Sequence, residues 1–260
     1  MHAFLLLIPL TRHKLGLLTL VLFVQLMLPT GAWSEVPVVS LTTHDLPPYS
    51  FPVKDGEPDG IAVQVVQCAA NELSMKVNIS FFPWKRAQEM VKRNAADGFF
   101  AASQADQRDA YAVLSATIAP QEWRWYLLKT SAMDPRSEAF KASARTSSFN
   151  GANMRDWLNE NGYKASDSPP QSTSLLAMLL KGRVDAILAN QLVMNQLLQQ
   201  SGEADAVKSF PALDKPLGIY FSKNFLATQP ADYMSRWNQA ITACTTNKTK
   251  RRRPQKLQPP

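Results

Sequence analysis

The chain has 260 residues, 45% of them hydrophobic, with 28 basic and 21 acidic side chains and a formal charge of +7. That is enough for one large core or two modest ones. Of the 28 basic residues, Arg12 and Lys14 lie near the start and six lie in the final stretch KTKRRRPQK, which leaves 20 facing the 21 acidic ones, so the body is near neutral and no nucleic-acid partner is expected.

The first 34 residues read as a leader. Arg12 and Lys14 form a basic start, LGLLTLVLFVQLML from Leu15 to Leu28 is an apolar stretch, and AWS at 32–34 offers small residues where a signal peptidase cuts. Cleavage is expected after Ser34, with export to an oxidising compartment. A retained anchor is the alternative, but the apolar stretch falls short of the roughly 20 residues a spanning helix needs. No cysteine near the cleavage point offers a lipid anchor. Beyond the leader only His44 remains of three histidines, which rules out a multi-histidine metal site, and no metal or cofactor is expected.

The exported part alternates. VPVVSLTT (36–43) has strand composition, and HDLPPYSFPVKDGEPDG (44–60) is punctuated by proline and glycine as a loop. IAVQVVQCAANEL predicts a helix, KVNISFFP a strand, WKRAQEMVKRNA a helix and DGFFAAS a buried strand. Strand, helix, strand, helix, strand at this spacing argues parallel pairing and an α/β class.

After Arg108 comes the aromatic strand EWRWYLLK (122–129), then a polar stretch from Thr130 to Ser148 that reads as irregular. A second alternating block follows: helices NMRDWLNENG and STSLLAMLLKG, strand RVDAILAN and helix QLVMNQLLQQSG. The strand LGIYFSK (217–223) and the helix ADYMSRWNQAITAC close the fold. Two such blocks joined by strands make a two-lobe plan. The expected boundaries are 35–120 plus 217–246 for lobe 1 and 121–216 for lobe 2, with 247–260 a solvated, disordered basic tail. Ligands bind beyond the carboxyl ends of strands in open α/β sheets, which puts the end of DGFFAAS at a cleft wall.

Cys68 and Cys244 are far apart in an exported chain, and a disulfide is permitted there. Cys68 also falls on the apolar stripe Ile61, Val65, Ala69, Leu73 of its helix, so a reduced core cysteine is equally open.

The segments PPYSF, DGIAVQVVQ, PWKRAQEMV, ADGFFAASQADQRDAYAVLS, NGANMRDWLNENGYK, LLKGRVDAILAN and LGIYFSKN, in this order, resemble family 3 of the bacterial extracellular solute-binding proteins, the periplasmic amino-acid receptors of ABC importers. The PWKRA form resembles a PWxRA-type subgroup. The resemblance implies a type II periplasmic-binding-protein-like fold, each lobe a sheet flanked by helices and the two joined by crossing strands. It implies a monomer without catalysis that takes a small carboxylate in an interlobe cleft and works with an ABC permease or a membrane receptor.

By the same resemblance Arg108 takes the ligand's carboxylate, for which a guanidinium offers a planar, permanently charged fork. Ser103 shares that carboxylate, and Tyr49, Phe51 and Trp84 supply aromatic walls. Asn153, after the turn Gly151–Ala152, opens a helix whose N–H groups can meet a polar ligand group. Asn190 stands where many relatives have an aspartate for the ligand's ammonium. An amide supplies no counter-charge, so the resemblance leaves the ammonium without its usual partner. Trp123 and Trp125 read as packing near the hinge, and Asp97 and Asp185 as turn-fixing residues. Two alternatives remain: a cyclohexadienyl-dehydratase-like enzyme on the same scaffold, with His44 its one candidate titrating near neutrality, and a sensing partner of a membrane receptor.

Overall fold

The computed structural model describes residues 36–252, with side chains to residue 246. The expected leader (1–34) and the end of the basic tail lie outside the described residues. Among the described residues, no helix is long and apolar enough to cross a membrane.

In chain order the first block comprises β1 (Val38–Thr43), β2 (Phe51–Pro52), β3 (Pro58–Asp59), α1 (Ile61–Glu72), β4 (Lys76–Phe81), α2 (Trp84–Lys92), β5 (Gly98–Ser103), α3 (Asp106–Asp109) and β6 (Ala112–Leu114). The second comprises β7 (Glu122–Leu128), α4 (Glu138–Ser143), β8 (Arg145–Ser147), α5 (Asn153–Glu160), β9 (Lys164–Ala165), α6 (Ser172–Leu180), β10 (Ala186–Asn190), α7 (Gln191–Ser201) and β11 (Val207–Asp214). The chain then returns through β12 (Leu217–Ser222), α8 (Lys223–Leu226) and α9 (Tyr233–Arg252). The helical backbone of α9 thus runs on into the basic stretch that sequence reading gives to a disordered tail.

Two five-stranded sheets result, ordered β4-β1-β5-β12-β6 and β11-β7-β10-β8-β9. In the first sheet β1 pairs parallel with β4 and β5, as the alternation predicts, whereas β12 runs antiparallel to β5 and β6. That antiparallel strand is the chain coming back from the second lobe. In the second sheet β7 is antiparallel to both β10 and β11.

The stretch 130–148 is less irregular than its polarity predicts. Ser137 caps α4 by accepting a hydrogen bond from the Phe140 N–H, and Phe140 buries itself against Trp125 and Tyr163, so one apolar anchor organises a polar segment. Strand β11 was not legible because its sequence VKSFPALD lacks a buried face; it is ordered by its ladder with β7.

Helices α1 and α9 pack on one face of the first sheet, with Val63, Val66, Trp237 and Ile241 sealed in a single core. The disulfide Cys68–Cys244 joins these two helices, with a Cα–Cα distance of 6.1 Å, which resolves the choice between a bridge and two reduced thiols. Asp97 accepts a hydrogen bond from the Ser40 N–H, and Asp185 accepts one from the Arg145 N–H while pairing with its guanidinium, so both carboxylates fix strand ends.

Candidate interlobe binding site

Three carboxyl ends of strands converge on one cavity. His44 follows β1, Ser103 ends β5, and Asn190 ends β10, and all three line a narrow cavity of about 50 Å3 bounded by Trp84 and Arg108 from one lobe and Phe149, Asn153 and Met154 from the other. Between His44, Trp84, Phe149 and the edge of α7 this space meets a larger vestibule of about 660 Å3.

Every residue of β5 is buried, and Ala101 within it has φ +59. Pairing with β12 shifts register at this point, between Gly218 and Ile219, so Ala101 is the extra residue of a bulge. Bulges next to sites re-aim the residues that follow them, here Ala102 and Ser103.

Arg108 sits on the short helix α3 and is 5% exposed, yet no carboxylate lies within ion-pair distance of it among the described residues. Its Nε donates to Gln88 Oε1 at 2.9 Å and its Nη1 to the Ser103 carbonyl at 2.7 Å, while Nη2 makes no hydrogen bond. The guanidinium lies 5.2 Å from the centre of the Trp84 ring, a cation–π contact. Burial pulls its pKa down, opposed at longer range by Tyr220, Tyr111, Asp156 and Asp109. A guanidinium remains charged under such a shift. The site therefore holds one desolvated positive charge whose orientation is fixed and which has no carboxylate counter-ion among the described residues.

The lobes touch across the cavity. Ser103 Oγ donates to Asn153 Oδ1 at 3.3 Å, Asn153 Nδ2 donates to the Gln104 carbonyl at 3.0 Å, and Gln88 Nε2 reaches the Gly151 carbonyl at 3.5 Å. Gly151 has φ +76, a left-handed conformation that favours glycine, and a Cβ there would stand 3.5 Å from Trp84 Cδ1 on the facing lobe.

Five of the residues the sequence singles out thus meet: Trp84, Ser103, Arg108, Asn153 and Asn190. Tyr49 and Phe51 do not line this cavity, contrary to the expectation of aromatic walls. Tyr49 is fully buried in the core of the first lobe: its hydroxyl donates to the Pro120 carbonyl at 2.9 Å and its own carbonyl accepts the Ala62 N–H at 2.9 Å. Burial pushes its phenol up to about 12. Gly60 makes that docking possible, since a Cβ at its φ of +125 would stand 2.4 Å from the Tyr49 carbonyl oxygen. Phe51 pairs with Asp59 in a small hairpin. The PPYSF segment therefore joins the first strand to the start of α1 and leaves the wall to others.

The wall is made by His44, which the sequence alone offers only as a candidate catalytic group. Its ring stacks on Trp84 with centroids 4.2 Å apart and lies 6.0 Å from Phe149. Burial, helped by the Arg108 charge, lowers its pKa to about 3, so the ring is a neutral plate. Its place directly after the first strand was the available signal. Phe149 carried none, because it directly follows the polar stretch 130–148, whose fold depends on packing. Asn190 spends its Oδ1 as the cap of α7, accepting the Leu192 and Val193 N–H groups. Its Nδ2 is sealed from solvent without a hydrogen-bond partner, although the amide lies near enough to the Tyr49 hydroxyl to oppose part of that phenol's shift.

Residues 38–136 match the model of the bacterial extracellular solute-binding proteins, family 3. Among solved structures the chain is similar to a histidine kinase sensor domain with similarity to periplasmic binding proteins, at a TM-score of 0.69 and 15% identity over 84% of this chain and 93% of that one. It is similar to an ABC uptake transporter substrate-binding protein from Streptococcus pneumoniae with bound histidine, at a TM-score of 0.68 and 14% identity over 81% and 87% of the two chains. An ancestral arginine-binding protein bound to arginine gives a TM-score of 0.67 and 16% identity over 82% and 94%. No curated protein matches the chain. The architecture is that of the two-lobe periplasmic binding proteins, and the cavity described here lies between the two lobes of that solute-binding fold.

Proposed function

We propose that this protein is an exported, periplasmic solute-binding protein that captures a small carboxylate-bearing molecule between its lobes and presents it to an ABC-type permease. In this reading lobe 1 comprises residues 35–120 and 217–246 and lobe 2 residues 121–216. The carrying observation is Arg108, a guanidinium buried in the interlobe cavity with no carboxylate partner. Leaving such a charge unpaired is costly, and a guest carboxylate is the group whose two oxygens match its fork.

The contacts between Ser103, Gln104 and Asn153 belong to a closed arrangement, and a guest enters by opening them. A ligand that then bridges Arg108 on one lobe and the α5 side of the other favours closure by its differential contacts. A dissociation constant near 1 μM corresponds to about −8 kcal/mol, within reach of one charge-assisted clamp plus apolar burial. Catalysis finds little support, because His44 is held neutral and no acidic residue lines the cavity.

A thermal-shift screen of small carboxylates tests the reading, since a ligand that binds only the folded state raises apparent stability. The expected result is a concentration-dependent rise that Arg108→Ala abolishes. A screen without any carboxylate-dependent rise counts against capture.

A further inference from the structure

We infer that the guest is a small monocarboxylate with an apolar body and no ammonium group beside the carboxylate. This rests on the capture reading above and narrows its ligand. It follows from which hydrogen-bonding groups of the cavity are still available.

The acceptors are committed. The Ser103 carbonyl takes Arg108 Nη1, and Asn153 Oδ1 takes the Ser103 hydroxyl. Asn190 Oδ1 takes two N–H groups of α7, and Gln121 Oε1 takes the Trp123 indole N–H. The Ser103 hydroxyl takes Asn153 Nδ2, and the side-chain acceptors that remain are the Ser172 hydroxyl and the neutral His44 ring, neither of which carries negative charge. No Asp or Glu is among the lining residues; Asp45 faces the outer vestibule and not this cavity. Asp109 is occupied elsewhere, accepting from Tyr220 and Gln104.

The donors are in surplus. Arg108 Nη2 is without a partner, and Asn190 Nδ2 is buried without one. The rest of the wall is aliphatic or aromatic, including Leu46, Leu175, Met194 and Leu217.

A zwitterionic amino acid would satisfy Arg108 with its carboxylate but bring a second cation into the same desolvated space. That ammonium would meet like charge and no carboxylate, with three N–H donors and almost nothing to accept them. Removing it cures the mismatch while keeping the carboxylate and apolar contacts. The likeness in fold to arginine and histidine binders does not extend to a charge-complementary ammonium site at Asn190, because that amide is spent on the helix cap.

The test compares matched pairs by calorimetric titration of the protein: phenylalanine against 3-phenylpropanoate, leucine against 4-methylpentanoate, and further aliphatic and aromatic pairs. The neutral primary amide of each acid is included. In at least one pair the deaminated acid is expected to bind about 10- to 100-fold tighter than the amino acid, the range for leaving a polar group unmet. The amide is expected to bind at least about 10-fold more weakly than the acid, for want of the charge. Arg108→Gln, with its circular dichroism unchanged, should lose the acid. An amino acid that binds as tightly as its deaminated partner overturns the inference and leaves capture standing. An amide that binds as well as its acid overturns the role of charge. If no member of any pair binds at millimolar concentration, the capture reading falls and the inference with it.

Discussion

The hydroxyl of Ser103, at the end of β5, donates to the side-chain oxygen of Asn153, at the start of α5, at 3.3 Å, and so ties one lobe to the other across the cavity. Both side chains are neutral, which suits the proposed opening of this contact for a guest.

Asn153→Ala removes both hydrogen bonds between its amide and the Ser103 hydroxyl and the one to the Gln104 carbonyl. Neutral hydrogen bonds of this kind contribute about 0.5–1.5 kcal/mol each. The unliganded variant is expected to populate the open form, seen as a larger radius of gyration in small-angle scattering, and to bind its ligand several-fold more weakly. An unchanged radius together with unchanged affinity would show that other contacts hold the lobes closed.

Arg108→Ala should leave the unliganded protein within about 1 kcal/mol of wild type in urea denaturation, because removing an unpaired buried cation offsets the loss of its two hydrogen bonds. A loss of about 3 kcal/mol or more is what breaking a buried ion pair costs, and would make Arg108 structural.

The disulfide between Cys68 and Cys244 closes a loop with a sequence separation of 176. Cys68→Ser with Cys244→Ser, or reduction, is expected to cost about 2–5 kcal/mol. The bridge clamps α1 to α9, and neither cysteine lines the cavity or its vestibule, so affinity measured below the new melting point should stay within twofold (about 0.4 kcal/mol).

His44 gives stability a pH dependence of known sign. Its pKa falls from 6.5 to about 3 on folding, so between these values the unfolded chain binds the proton and the folded one does not. Stability is then complete above pH 6.5 and falls as the pH drops below it, by at most about 1.4 kcal/mol per pH unit. Asp45, whose pKa burial raises, works in the opposite direction at lower pH. The difference between wild type and His44→Gln isolates the histidine. Urea denaturation at pH 7 and pH 5 should show wild type losing about 2 kcal/mol more than the variant, and equal losses would mean that the ring is hydrated.

The α/β class, the order of the main elements and the position of Arg108 were legible before any coordinates. Each is written in local patterning: the uniformly apolar GFFAAS bounded by polar residues, the 3.6-residue stripe of the helix carrying Cys68, and a guanidinium placed just after a strand end. Tyr49 and Phe51 misled because an aromatic residue in a loop reads the same whether it faces a cleft or a core; only the docking of α1 under Gly60 shows that Tyr49 turns inward. Phe149 could not be found, since its place beside the His44 ring depends on how the second lobe packs against the first.

By itself the sequence determined which segments are strands and helices, because side-chain periodicity and turn residues act over a few positions. Tertiary structure alone decided that Cys68 meets Cys244, that His44 rather than Tyr49 walls the cavity, and that Arg108 goes without an acid partner among the described residues. Those are facts of proximity between residues distant in the chain, and proximity is set by how whole elements pack, which no local pattern encodes.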